Sequence, residues 1–336
     1  MLKRVSQALS TGAAPLPAGG RVAVFDPPAP PDLGDLDPAR IDVITTSARL
    51  SAACQARGFV VKSREDGDYS AALVFIDRAR PLARLRLAEA VAAVPSGAPV
   101  LVDGQKTDGI ETALKDCRER VDIHDSYVKS HGRLFWFAAR RAFSDWAQIA
   151  EDWPMVEGYR TGPGVFSADG IDPGSALLAA TLPPLKGIGA DLGAGWGYLS
   201  SRVLAASPAV EALHLVEEDQ RALDAARRNL GDARAAFHWA DATAWSAPKP
   251  LDFVVMNPPF HDGREAAPEL GRAFIAAAQR MLARHGTLWM VANRHLPYEA
   301  TLDSLFATVT ERVARIGFKV IEASGPKTGA EARNRA

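Results

Sequence analysis

Short apolar runs recur along the chain, separated by stretches in which apolar positions return every three or four residues. RVAVF (21–25), DVIT (42–45), ALVFI (72–76), PVLV (99–102) and RLFWF (133–137) have the length and composition of strands, while PLARLRLAEAVAAV (81–94) and GIETALKDCRER (109–120) carry helical spacing. Their alternation predicts βαβ units built on a parallel sheet. From about 146 to 164 the text becomes WAQIAEDWPMVEGYRTGPG, rich in turn formers and without a sustained period, which places a domain boundary there.

The rhythm then restarts. DPGSALLAATL (172–182) predicts a helix opened by an Asp cap and an early Pro. Strands follow at 187–191, 214–217, 235–239, 251–256 and 286–292, with helices from about 197, at 219–230 and at 267–283. The expectation is an α/β chain of two tandem Rossmann-like folds, residues 1–150 and 151–336, arranged like a duplication although without a clean residue-level repeat.

Composition adds bounds. At 336 residues and 47% hydrophobic content the chain can bury a large core, and its length suits two domains. A formal charge of -1 leaves any nucleic-acid contact to local patches. Cys54 and Cys117, the two cysteines, lack zinc or disulfide spacing, so no metal is expected and a reducing compartment suits them. Lys3 and Arg4 precede no apolar leader, and no run approaches the roughly 18 apolar residues of a membrane span. The reading is a cytoplasmic monomer that does not engage membranes.

Candidate chemistry sits at strand ends. DLGAGWG (191–197) follows a strand, and its glycines let the chain turn sharply and let a ligand lie against bare backbone. The spacing is GxGxG; a dinucleotide fingerprint, GxGxxG/A, needs Gly or Ala where Tyr198 stands, which disfavours a nicotinamide oxidoreductase. Asp191 is placed to fix loop amides or, through water, a ligand ammonium. Glu217 ends the next strand, where a carboxylate can accept both hydroxyls of a ribose, and Asp241 follows the third, within reach of an adenine ring. Three carboxylates in this order, each after a strand, describe a nucleoside site. VVMNPPFHDG (254–263) then ends a strand on Asn257, Pro258, Pro259 and Phe260. Paired prolines hold the backbone extended, so acceptors at Asn257 and the Pro258 carbonyl would be rigid before a substrate arrives. Phe260 can stack on a flat base.

Together these segments resemble the class I S-adenosylmethionine methyltransferases, and NPPF resembles the motif of members that modify planar nitrogens conjugated with a π-system. GPGVFSADGIDPGSALLAATL (162–182), NPPFHDG, VANRHLPY (291–298) and GFKV (317–320) are together similar to the bacterial ribosomal RNA guanine-N2 methyltransferases of the small-subunit type and their large-subunit relatives. The resemblance implies S-adenosylmethionine as donor, a guanine N2 amine of ribosomal RNA, 16S or its small subunit, as acceptor, and a degenerate first domain beside a catalytic second one. It also implies that Phe166 and Ser167 line the donor pocket and that Asp191, Gly193, Ala194, Gly195, Glu217, Asp241 and Asn257 hold the functional positions. His261 is then a loop or substrate contact, because an alkylated nitrogen is acidic enough to need no strong base.

Departures accompany the likeness. Ala194 and bulky Trp196 replace the usual DLGCG pattern, Glu217 replaces the usual Asp, and REAAPELGRAF lacks the Thr-Ser pair of close members. RNA contact is expected from Arg78, Arg80, Arg84 and Arg86, or from a basic loop with Lys129, His131 and Arg133. Competing readings are an adenine-N6 or protein glutamine-amide methyltransferase, and a non-catalytic RNA-binding or assembly protein.

Overall fold

The computed structural model describes residues 2–34, 36–151, 153–259, 261–262, 265–266 and 268–327. The chain divides into two compact units, Met1–Trp153 and Pro154–Ala336.

The first unit is a seven-stranded sheet of β1 (Arg21–Phe25), β2 (Ile41–Ile44), β3 (Val60–Lys62), β4 (Tyr69–Phe75), β5 (Pro99–Gln105), β6 (Ile123–Lys129) and β7 (Gly132–Ala138), ordered β3-β2-β1-β4-β5-β7-β6. Adjacent residues feed opposite faces: Phe25, Val74 and Val102 pack in one apolar layer, Val24, Leu73 and Leu101 in the other. Burial on both faces is why these strands read as unbroken apolar runs. The all-parallel expectation is corrected at RLFWF, which lies in β7 and runs antiparallel to both β5 and β6. Its cause is the connection: β6 and β7 are joined by Ser130 and His131, both at positive φ (51° and 56°). A two-residue turn of that hand permits only a hairpin.

That hairpin carries the basic residues Lys129, His131 and Arg133, of which Lys129 and His131 are exposed. Gly132 is glycine because Arg4 of the helix Leu2–Ser10 crosses there; a Cβ would stand 2.5 Å from the Gly104 carbonyl oxygen and closer still to the Arg4 guanidinium. Arg4 is buried, donating to both oxygens of Asp103 (2.7 and 2.8 Å) and to the Lys129 carbonyl (2.7 Å). Among the other expected RNA contacts, Arg86 is excluded by burial, since it is 4% exposed and pairs with Asp26 and Glu89. Arg80 and Arg84 share Asp116. Lys129 donates to Gln7, and Arg133 to Glu111 and Ser126.

The second unit opens with a small hairpin, β8 (Met155–Val156) and β9 (Tyr159–Arg160). Its main sheet comprises β10 (Gly187–Leu192), β11 (Val210–Glu217), β12 (Ala235–Trp239), β13 (Leu251–Met256), β16 (Leu282–Asn293), β17 (Phe306–Arg315) and β18 (Phe318–Pro326), with a short pair, β14 (His261–Asp262) and β15 (Glu265–Ala266), after β13. The order β12-β11-β10-β13-β16-β18-β17 repeats that of the first unit. Again one strand, β18, runs antiparallel to its neighbours, turned by Ile316 and Gly317 at φ 54° and 79°. Strand order reverses between β10 and β13, so the turns leaving these two strands open the crevice in which such sheets hold ligands.

Candidate active site

The glycine turn leaves β10 directly at that crevice. Gly193, Gly195 and Gly197 all have positive φ (75°, 56° and 87°), but their reasons differ. A Cβ on Gly197 would meet Leu230 at 2.5 Å, so this residue serves helix packing; one on Gly195 would meet nothing within 4 Å, so the space beside it is free for a ligand. The turn is tied to β11 by the Gly193 and Ala194 amides, which donate to the Val216 carbonyl.

One cleft gathers Phe166, Ser167, Asp191, Gly193, Ala194, Gly195 and Asn257. It opens to solvent. Phe166 stands at the rim, 65% exposed, and Ser167 holds a positive φ of 55°. Pro258 is buried and Pro259 exposed. Phe260, expected to stack on a base, lies outside the described residues.

Each carboxylate has a definite partner. Asp191, expected to fix loop amides or a ligand ammonium, lines the cleft and accepts from the Ser200 hydroxyl (2.7 Å). Burial pushes its carboxyl up to about 7, against the pull of that hydroxyl. Glu217 accepts the Gly195 amide on one oxygen and the Asp219 amide on the other, both at 2.8 Å. Its carboxyl is likewise pushed up to about 7 by burial, which outweighs the two amides. Asp241 is not among the residues lining the cleft; its carboxylate accepts from the amide and hydroxyl of Thr243 (2.8 and 2.7 Å), forming a local turn. Ala240 donates to the Glu217 carbonyl, which keeps this turn beside the end of β11.

Asn257 is the unusual group. Its side-chain nitrogen donates to Asp172 and to the Ser175 hydroxyl, both at 2.8 Å, whereas its side-chain oxygen is buried without a partner. A buried acceptor without a donor costs roughly 1 to 3 kcal/mol, so the protein holds a hydrogen-bond site open at the end of β13. The sequence pattern identified Asp172 only as a helix cap; that it and Ser175 would reach a strand 80 residues away had no local signal.

Trp196, expected to alter the rim by its bulk, is 5% exposed. Its indole N–H donates to the Phe166 carbonyl at 3.0 Å. Its ring packs with Tyr159 and Tyr198. It therefore fastens the Phe166–Ser167 segment over the glycine turn. Among the described residues no cluster suited to a metal ion occurs, and no helix is long and apolar enough to cross a membrane.

Comparison with known proteins places the chain among relatives of known family. Residues 158–322 match the methyltransferase small domain. Ribosomal RNA small subunit methyltransferase C of Salmonella paratyphi B is 33% identical over 269 residues, 78% of this chain and 77% of that protein. Its counterpart in Klebsiella pneumoniae is 31% identical over 317 residues, 86% and 89% of the two chains. A solved structure of the Thermus thermophilus 16S rRNA N2 G1207 methyltransferase, in complex with AdoMet and guanosine, superposes with a TM-score of 0.77 at 20% identity, over 95% of this chain and 91% of that one. At that identity the likeness speaks for the fold, two successive Rossmann-like sheets.

Proposed function

The chain belongs to the ribosomal RNA small subunit methyltransferase C family, and from that premise we propose that it moves a methyl group from S-adenosylmethionine to the exocyclic N2 amine of a guanosine in 16S rRNA. The observation that carries this reading is the buried, unpartnered side-chain oxygen of Asn257 at the mouth of the glycine turn. An exocyclic guanine amine is planar because its lone pair is delocalised into the ring. Two acceptors on its N–H bonds, the Asn257 oxygen and the Pro258 carbonyl, would hold it and turn the developing lone pair toward the donor. S-adenosylmethionine supplies an electrophilic methyl on a positively charged sulfur.

The residues present fit that donor. The open face of Gly195 admits a ligand against bare backbone, and Glu217, with two of its lone-pair sites used by amides, retains acceptor capacity for ribose hydroxyls. Phe166 and Ser167 would border the donor, Asp191 and Ala194 would shape the turn, and Asp241 would face the adenine from its neighbouring turn. Pro259 continues the acceptor loop of the proposed site, and the stacking role of Phe260 rests on the sequence alone. The proton leaves once the nitrogen is alkylated, so no base need be strong.

The finer parts of the proposal are that the protein works as a cytoplasmic monomer on the rRNA or on the small subunit, and that residues 1–150 grip RNA or brace residues 151–336, which transfer the methyl. The charged hairpin around Lys129 and Arg133 supports a grip, and the full burial of Arg86 restricts it to the remaining basic side chains. A paired guanine amine is out of reach within a helix, so the target base must be unstacked. The test is transfer of labelled methyl to 16S rRNA, followed by nucleoside analysis. The expected product is N2-methylguanosine, and Asn257→Ala should abolish its formation while leaving donor binding intact. Methyladenosine, a methylated protein glutamine, or undiminished transfer by the variant would overturn the assignment.

A further inference from the structure

The segment Asp172-Pro173-Gly174-Ser175 begins the helix Pro173–Thr181, and Asp172 caps it in the ordinary way, accepting the Ser175 amide at 2.7 Å. The same Asp172 oxygen also accepts from the side-chain nitrogen of Asn257 at 2.8 Å, and the Ser175 hydroxyl oxygen accepts a second bond from that nitrogen. An asparagine side chain is nearly symmetric in shape, so sterics alone would let it present either its NH2 or its oxygen to the cleft. A carboxylate oxygen only accepts. Asp172 therefore decides the matter: the terminal atom beside it must be the nitrogen, and the carbonyl oxygen must turn the other way, to the side where it has no protein partner. Were the amide reversed, two oxygens would face each other at 2.8 Å, and the cleft would offer a donor to an amine that is itself a donor.

The rest of the segment serves the same contact. A Cβ on Gly174 would lie 3.0 Å from the Asp172 carboxylate and from the ring of Phe318, so glycine leaves the carboxylate where Asn257 needs it. Pro173 at the first helical position fixes the backbone just after the cap.

We infer that Asp172 and Ser175 are positioning residues for methyl transfer, setting the amide of Asn257 so that its oxygen, and not its nitrogen, meets the substrate amine. The inference rests on the acceptor role proposed above for Asn257. Asp172→Asn keeps a side chain that can cap the helix but can also donate, so it no longer dictates the orientation of Asn257. Ser175→Ala removes one acceptor and leaves the backbone cap in place.

Single-turnover transfer of tritiated methyl to 16S rRNA is measured for both variants, together with donor affinity by calorimetry, the Michaelis constant for RNA and the melting temperature. The expected result for Asp172→Asn is a rate lower by about tenfold or more, the scale of one lost charge-assisted contact, with Ser175→Ala losing less. Donor affinity, Michaelis constant and melting temperature should stay near the parent. Parental rates in both single variants would overturn the inference. So would a loss that appears equally in donor affinity or melting temperature. A parental rate for Asn257→Ala alone would instead remove the acceptor reading beneath it.

Discussion

The proposed role of Glu217 at the donor ribose predicts that donor binding depends on pH. Its carboxyl is raised to about 7 by burial, so the unliganded protein below that pH holds it largely protonated. Ribose hydroxyls donate to a carboxylate better than to a carboxylic acid, so binding draws the proton off and favours the ionised form. With the free-state value near 7 and a carboxylate that stays ionised in the proposed complex, affinity at pH 6 should be about tenfold weaker than at pH 8, levelling above about 7.5. Folding runs the other way. A carboxyl raised on folding stabilises the native state fully below its ordinary unfolded value near 4.5, and that contribution is lost as pH rises through about 7. Glu217→Gln tests both the charge and the geometry. The parent carboxylate accepts Gly195 on one oxygen and Asp219 on the other; an amide can accept from only one of them and opposes a donor to the second. The variant should bind donor more weakly by roughly 1 to 3 kcal/mol and lose most of the pH dependence. The assay is calorimetric titration with S-adenosylmethionine from about pH 5.5 to 8. Asp191 titrates in the same window but is engaged with Ser200, so a pH profile that survives unchanged in Glu217→Gln belongs to Asp191 and refutes the argument. A flat profile in the parent refutes it equally.

Reversing Lys129 and Arg133 to Glu should raise the Michaelis constant for RNA and flatten its salt dependence without changing donor affinity, provided the first unit grips phosphate; RNA affinity across salt decides, and parental behaviour with lowered stability would assign that unit a bracing role. Arg4→Ala strands buried Asp103 and should cost the first unit about 3 to 5 kcal/mol in chemical denaturation; a loss under about 1 kcal/mol would mean the pair is structurally idle. His214 and His238 lie with ring nitrogens 2.9 Å apart, and burial lowers the pKa of both below the usual 6.5. Their contribution to stability is present above about 6.5 and lost as pH falls through the lowered values, so the melting temperature should drop below about pH 6 and drop less in His238→Gln.

The fold was legible because it depends on what a sequence displays locally. Strands buried on both faces announce themselves as apolar runs, and β1, β4, β5, β10, β13 and β16 all fall where such runs occur. Edge strands were less visible: β6, IHDSYVK, is mostly half-buried or exposed, and β17, FATVTERVAR, is similarly open, so neither shows a continuous run. Strand direction was missed for β7 because it is set by Ser130 and His131, neither of which is a residue that ordinarily signals a left-handed turn. The sharp turn after β10 was also legible, since Gly193, Gly195 and Gly197 all take the positive φ that closely spaced glycines at a strand end signal. The partners of Asp191 and Asn257 were not. That Asp191 meets Ser200, or that Asp172 meets Asn257 across 85 positions, follows only from the folded arrangement.

The two units separate what the sheet requires from what the ligand requires. Both have the same strand order and the same single reversed strand, so their cores impose the same apolar patterning. Their turns differ. Where β10 leads into DLGAGWG, β1 leads into DPPAPPD (26–32), whose four prolines have no amide N–H to offer and whose Asp26 is committed to Arg86. Where β11 ends on Glu217, β2 is followed by Thr45, Thr46 and Ser47, and Ser47 caps the next helix. Where β13 presents Asn257, β4 is followed by Ile76 and Asp77, with Ile76 buried. Apart from Ile76, which packs into the core, these turns of the first unit lie beyond the strands, so they can change without loss of the sheet. The same independence explains why apolar periodicity predicted both sheets alike, and why the two units differ at these strand-end turns, where the proposed donor site of the second unit lies.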